Sequence, residues 1–300
     1  MNPVSIPLAI LFAILYTTTV HLSKGIQKYG IAGLSLETIK QWKTKPEYKK
    51  NFSIWLIGSI GTIFGAVFQF FAQQYAPNSS FVPAFTGIGL LSLVIFCHFV
   101  LDERIKRIEY LGTIIIVFAT FGFTFVALDV PSESIDYGMI VISLAIPLAI
   151  LCALGYWSAK NDHKGHAVIW GSVSGLFSGF AIVMAHTAAI EGQRNFIDML
   201  LTFNILFAII CSQGAFWFTQ VGFKHGQASI VVTMFSSLSI GIPIIMDYVA
   251  LDYTIPPLQL ILLICIAVGV VLLTAFRKPP GAEISPAELP PKSTPDHQID

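Results

Sequence analysis

Long stretches of the chain carry no formal charge. Between Asn51 and Leu101 there is no Asp, Glu, Lys or Arg, and a single His. Shorter uncharged runs cover Met1–Ser23, Leu111–Leu128, Gly138–Ala159, Gly165–Ile190, Met199–Phe223, His225–Met246 and Tyr253–Phe276. An α-helix needs about 20 apolar residues to cross the hydrocarbon core of a bilayer. Each run supplies one crossing and the 51-residue run supplies two, so the pattern predicts nine transmembrane helices. They fall near 3–23, 53–74, 79–101, 108–128, 137–158, 166–190, 199–222, 227–250 and 256–276. A soluble helical bundle has no reason to be apolar all round its helices. The fold class expected is therefore an all-α integral membrane protein.

Composition agrees. Charged residues make up 11% of the 300 positions and hydrophobic residues 55%, against roughly a quarter charged in an average soluble domain. Met1–Ser23 lacks the basic start and small-residue cleavage site of a signal peptide, so it is expected to stay as a helix. Cys97, Cys152, Cys211 and Cys265 lie in separate apolar runs, which supports neither a disulfide framework nor a zinc site. From Pro279 to Asp300 there are six prolines in 22 residues. That composition cannot bury enough surface to offset the entropy of ordering, and residues 277–300 read as a disordered tail.

Basic residues set the expected orientation. With nine helices, sixteen Lys and Arg fall on one side and only Arg194 on the other. The positive-inside rule then places the N-terminus outside and the C-terminus in the cytoplasm of a plasma or inner membrane. Ten helices are the alternative, if Tyr29–Ile39 makes an extra crossing. That segment is short and contains Glu37, which argues for nine.

The two halves of the chain resemble each other. Residues 65–127 lie over 214–275, with Gly65-Ala66 meeting Gly214-Ala215 and Leu101-Asp102 meeting Leu251-Asp252. The matched helices are an odd number of crossings apart, so the copies run in opposite senses across the membrane. This predicts an inverted repeat, 1–128 (with a basic cytoplasmic loop at 24–51) and 137–276, of the kind found in secondary carriers.

Tyr75-Ala76-Pro77-Asn78-Ser79-Ser80-Phe81-Val82-Pro83 and the ending Leu101-Asp102-Glu103-Arg104-Ile105 resemble the drug/metabolite transporter superfamily, with its EamA-type repeats. Asp102 stands where that superfamily usually has Gly, and Leu251-Asp252-Tyr253-Thr254 lacks the Glu and the Arg. One helix of the superfamily's usual set is replaced here by the lysine-rich loop. In that respect the layout is similar to the nine-helix NIPA-like magnesium transporter branch. The resemblance implies alternating access through a central cavity.

Polar side chains at bilayer depth usually face a bundle interior or a wet cavity. Gly61, Gly65, Gln69 and Gln73 share one stripe of the second helix, and Gln213, Trp217 and Gln220 one face of the seventh. Gln69, Gln73, Gln213, Trp217 and Gln220 are therefore the expected substrate-binding residues. Amides and an indole suit a small neutral organic solute. The same amides also serve as interhelical hydrogen bonds in many bundles. His98, His186 and Asp247 are candidates for proton or ion coupling. Asp247 has a second reading as a residue of the outer interface. Gly171, Gly175 and Gly179 mark a close-packing face, and Pro83 and Pro243 mark bends.

The function expected is a secondary transporter for a small organic metabolite, with magnesium or another divalent cation as the alternative. A remoter one is a non-transporting scaffold or sensor. The sequence identifies no metal ligand set. It has no GxxxxGK[ST] loop, no HExxH and no nucleophile–base cluster, so neither an ATP-driven pump, nor an enzyme, nor a bound cofactor is expected. The partners expected are a solute and the lipid bilayer, with a homodimer admissible and nucleic acid excluded.

Overall fold

A computed structural model describes residues 4–31, 46–101, 107–126, 135–161, 165–225, 228–251 and 256–275. Among them every regular element is helical: α1 (Ile6–Ile31), α2 (Pro46–Tyr75), α3 (Phe81–Ala84), α4 (Thr86–Leu101), α5 (Arg107–Val126), α6 (Tyr137–Lys160), α7 (His166–Glu191), α8 (Phe196–Leu200), α9 (Phe203–His225), α10 (Ala228–Val249) and α11 (Pro257–Ala275). Five of these, α1, α2, α6, α7 and α9, contain segments long and apolar enough to cross a membrane. Phe81–Leu93, Met234–Val249 and Pro257–Leu272 are shorter apolar stretches. Residues 32–45 of the expected basic loop, the turn Asp102–Lys106 and the tail lie outside the described residues, and the loop's last part is corrected, since residues 46–51 form the first turns of α2.

The helix α7 forms the axis of one half of the molecule. Its apolar window is 83% buried, against 11% for α6, which leaves most of its surface to lipid. Packing around α7 is close because of its glycines. A Cβ on Gly171 would lie 2.8 Å from the Val231 carbonyl oxygen, and one on Gly175 would lie 2.7 Å from that of Phe235. A Cβ on Gly179 would meet the Ile242 side chain at 2.6 Å. Small residues let helix backbones approach in this way where lipid supplies no hydrophobic drive to association. The expected close-packing face of the sixth predicted helix is thus the seam between α7 and α10. On its other flank α7 packs along α9.

The other half is built on the pair α1 and α2, with α4 laid against α1 and α5 against α11. Gly58 and Gly61 of α2 admit Ser23 and Gln27 of α1. The segment α1 continues eight residues past the predicted end at 23. The expectation that Lys24 ends the crossing is corrected: the helix runs on to Ile31, and Lys24 turns inward.

The third predicted helix is interrupted. α3 spans four residues, and after Phe85 the chain restarts as α4. Pro83 supplies no N–H, and Phe85 bonds back to Val82 O at 3.2 Å, a tighter i to i−3 turn. Pro243, by contrast, is contained within a continuous α10.

The seam makes a paired prediction. Gly175→Val should cost about 1–3 kcal/mol or more through overpacking against the α10 backbone. Gly241→Ala, with nothing within 4 Å of its Cβ position, should leave stability unchanged or slightly raised. Melting temperatures of the two variants in detergent check this, and equal losses would contradict the seam.

Candidate functional site

A central cavity of about 60 Å³ lies where α1, α2, α7, α9 and α10 converge. Its wall follows helical spacing. Tyr16, Val20, Lys24 and Gln27 descend one stripe of α1, and Thr62, Ala66 and Gln69 descend one stripe of α2. Ser178 comes from α7, Ser212, Phe216, Thr219 and Gln220 from α9, and Phe235 from α10.

One amide ties three helices together at this cavity. The Gln27 Nε2 donates to Gly58 O at 3.0 Å and to Thr62 Oγ1 at 2.7 Å. Its Oε1 accepts from Gln220 Nε2 at 3.0 Å. The Gln220 Oε1 and the Gln69 Nε2 are buried without hydrogen-bond partners. Nearby, Ser174 Oγ donates to Ala215 O at 2.7 Å, and Thr219 Oγ1 donates to the same carbonyl at 2.8 Å. The cavity wall is thus largely apolar with neutral amides and hydroxyls set into it, and among the described residues no Asp or Glu lines it.

A lysine also reaches this space. Lys24 is 7% exposed, and its Nζ stands 2.8 Å from the centroid of the Phe235 ring. That amine has no hydrogen-bond partner, and its N–H groups face the π surface of the ring.

A second polar cluster lies at one end of the bundle. Asp247 is fully buried, and its carboxylate accepts from Ser79 N at 3.2 Å, from Ser80 N at 2.8 Å and, by a short contact, from Ser79 Oγ. These donors belong to the turn between α2 and α3. Arg194, from the turn between α7 and α8, serves the other side of the same break. Its Nη1 donates to Gln74 O at 3.0 Å and to Ala76 O at 2.8 Å, and Gln74 Nε2 returns a bond to Arg194 O at 2.7 Å. Partial burial among these groups pulls the Arg194 guanidinium below its ordinary pKa. Arg194 and the preceding Gln193 adopt φ of 58° and 49°, the left-handed region that non-glycine residues rarely enter. His186 is fully buried beside the Gln73 backbone and Arg194, with neither ring nitrogen in a well-formed hydrogen bond.

Of the residues expected to bind solute, Gln69 and Gln220 line the cavity. Gln73 is buried in the end cluster, where its Nε2 donates to Ser79 O at 3.4 Å. Gln213 is exposed, and Trp217 is 61% exposed on the outside of the bundle. The cavity face of α9 is centred on Ser212, Phe216 and Thr219. One residue further on, Gln213 and Trp217 are turned about 100° away. His186 and Asp247 are both buried in the end cluster, away from the cavity wall. The side chain of His98 lies outside the described residues.

Tyr16, Lys24, Gln27 and Thr62 were not among the expected site residues. The sequence carried a signal for them, since Tyr16, Lys24 and Gln27 recur at i, i+8 and i+11 on one helical stripe. It was hidden by reading Lys24 as the first residue of a loop.

The chain is similar to three transporters of Arabidopsis thaliana. It is 27% identical over 280 residues to the probable magnesium transporter NIPA9, covering 86% of this chain and 79% of that protein. It is 24% identical over 188 residues to the probable magnesium transporter NIPA1, covering 58% and 52% of the two chains. With the probable magnesium transporter NIPA2 it shares 22% identity over 160 residues, covering 48% and 45%. No family model matches the chain, and no solved structure matches it. Apolar helices and transporter relatives together describe a multi-pass membrane protein.

The end cluster yields its own test. Asp247→Ala strips Ser79 and Ser80 of their buried acceptor and should cost about 2–4 kcal/mol. Asp247→Ala combined with Ser79→Ala should cost clearly less than the sum of the two single changes. Unfolding in mixed detergent measures the cycle, and strict additivity would mean that the contact carries no coupling.

Proposed function

We propose that this chain is a carrier for magnesium or another divalent cation, working by alternating access at the cavity between α1, α2, α7, α9 and α10. The observation that carries the reading is the similarity to a probable magnesium transporter along 86% of the chain. The cavity supports it by size. About 60 Å³ holds a few water molecules or a partly hydrated ion. The expectation of an organic metabolite, drawn from the glutamine and tryptophan faces, is the weaker reading, because the indole of Trp217 faces away from this space.

The lining fits a cation that keeps much of its water. Mg²⁺ prefers hard oxygen ligands and gives up its hydration shell reluctantly. Amide and hydroxyl oxygens from Gln27, Gln220, Thr62 and Thr219 can hydrogen-bond bound water or replace some of it. Without a carboxylate, binding is weak enough for release, which a carrier requires.

In this reading the halves 1–128 and 137–276 move as inverted copies, within the wider drug/metabolite transporter superfamily. The N-terminus faces outside and the C-terminus the cytoplasm. The carrier uses no cofactor and performs no chemical reaction.

Purified protein in liposomes loaded with a magnesium-sensitive dye tests the proposal. An inward Mg²⁺ gradient should produce a signal that empty liposomes lack. Gln27→Leu and Gln220→Leu should slow the initial rate about tenfold, the scale of one buried polar interaction. Trp217→Ala should stay close to the parent rate. No flux from correctly folded protein would end this reading.

A further inference from the structure

We propose that the central cavity opens at the end closed by the hydrogen bond between Gln27 and Gln220, and that the cluster around Asp247 and Arg194 keeps the opposite end shut in this conformation. The inference rests on the alternating-access reading and adds to it which closure gives way.

The cavity is off centre between the two ends. On α1 its wall runs from Tyr16 to Gln27, and on α9 from Ser212 to Gln220. Gln27 is four residues from the end of α1 at Ile31, and Gln220 is five from the end of α9 at His225. That leaves about 6–8 Å of helix. In the other direction Tyr16 stands ten residues from Ile6, and Ser212 nine from Phe203. There the helices continue for about 13–15 Å.

The bonds that cross between the two halves of the chain also differ. At the far end the Asp247 carboxylate accepts from the amides of Ser79 and Ser80 and from the Ser79 hydroxyl. The Arg194 guanidinium donates to Gln74 O and Ala76 O, and Gln74 Nε2 donates to Arg194 O. Phe71 stacks on Phe196 with ring centroids 4.6 Å apart. Hydrogen bonds to ionised groups are roughly twice as strong as neutral ones, and parting this end breaks all of them together. At the Gln27 end the crossing bond joins two neutral amides, from Gln220 Nε2 to Gln27 Oε1 at 3.0 Å. Beside it the Trp55 and Phe216 rings are tilted and 6.3 Å apart.

Gln27 keeps its place when Gln220 leaves. Its Nε2 donates to Gly58 O and Thr62 Oγ1, both within the first half. Among the described polar contacts, opening here breaks one, which entering water replaces. Unpartnered polar atoms occur at both ends, Gln220 Oε1 at one and Gln73 Oε1 and Asn78 Nδ2 at the other. They favour neither end, so the crossing bonds decide.

A cysteine in the cavity wall tests this. Ser178 is 7% exposed and lines the cavity between the two closures, so Ser178→Cys is a probe that a reagent can reach from either end. The full-length protein in detergent is treated with a cationic methanethiosulfonate, and labelling is read at that peptide by mass spectrometry. Adding Gln220→Leu should raise the labelling rate about fivefold, the scale of one net hydrogen bond. Adding Ser79→Ala removes one of several bonds at the opposite closure and should change the rate by less than about twofold. No rise with Gln220→Leu, or an equal or larger rise with Ser79→Ala, overturns the inference.

Cys211, 1% exposed, checks the fold and should stay unlabelled throughout. Where Gln220→Leu exposes it, Gln220→Asn, a shorter amide that falls short of Gln27, is read against the same outcomes. Labelling needs no flux. A protein that labels as expected but does not move Mg²⁺ loses the magnesium reading and keeps this inference.

Discussion

The buried carboxylate of Asp247 does for this fold what water does for a soluble one. Within lipid, every backbone N–H and C=O must find a partner inside the protein. The break between α2 and α3 leaves amides and carbonyls buried without helical partners. Asp247 receives the Ser79 and Ser80 amides on one side of the break, and Arg194 caps Gln74 and Ala76 on the other. Both caps come from the second half of the chain and act on the first. They are an acid at the start of one helix and a base at the end of another, each matched to the local dipole. The left-handed backbone at Arg194 shows the strain that this placement requires.

With that end fixed, the cavity follows from where side chains are missing. Glycines on α2 let α1 approach until Gln27 can bond the backbone of Gly58. Glycines on α7 do the same for α10, which brings Phe235 toward Lys24. The polar stripe of α1 is thereby enclosed between helices that would otherwise stand further apart. The chemistry of the site is a product of its smallest residues as much as of its polar ones.

Much of the architecture was legible in the sequence, because uncharged runs of membrane length have few alternative structures. The all-helical class, the rough placement of the long apolar helices and the close-packing role of Gly171, Gly175 and Gly179 could be read directly, while the extension of α1 and the break after α3 could not. The interior was harder to read. Periodicity finds a polar face but not the direction in which it points. Gln213 and Trp217 formed a convincing face and point outward, while Ser212, Phe216 and Thr219, less conspicuous as letters, line the cavity. Lys24 was misplaced for a different reason. A charge at the edge of an apolar run normally marks the membrane surface, and only tertiary contacts turn one inward. For Asp247 the sequence left a buried and an interfacial reading open; it is buried, and its partners, more than 160 residues away, left no local trace.

The helix α10 joins two parts of the molecule with different mechanical demands. Asp247 near one end is anchored to the turn at 77–80, and Phe235, three turns earlier, rests on the Lys24 amine in the cavity. Between them Pro243 omits one rung of the backbone ladder, and Gly241 faces open space. A rod with one weak joint flexes at that joint. Here the joint is braced from the side, because Ile242 is buried against Gly179 and the Pro243 carbonyl accepts from Ser79 Oγ, so the neighbouring helices supply the stiffness that the backbone lacks.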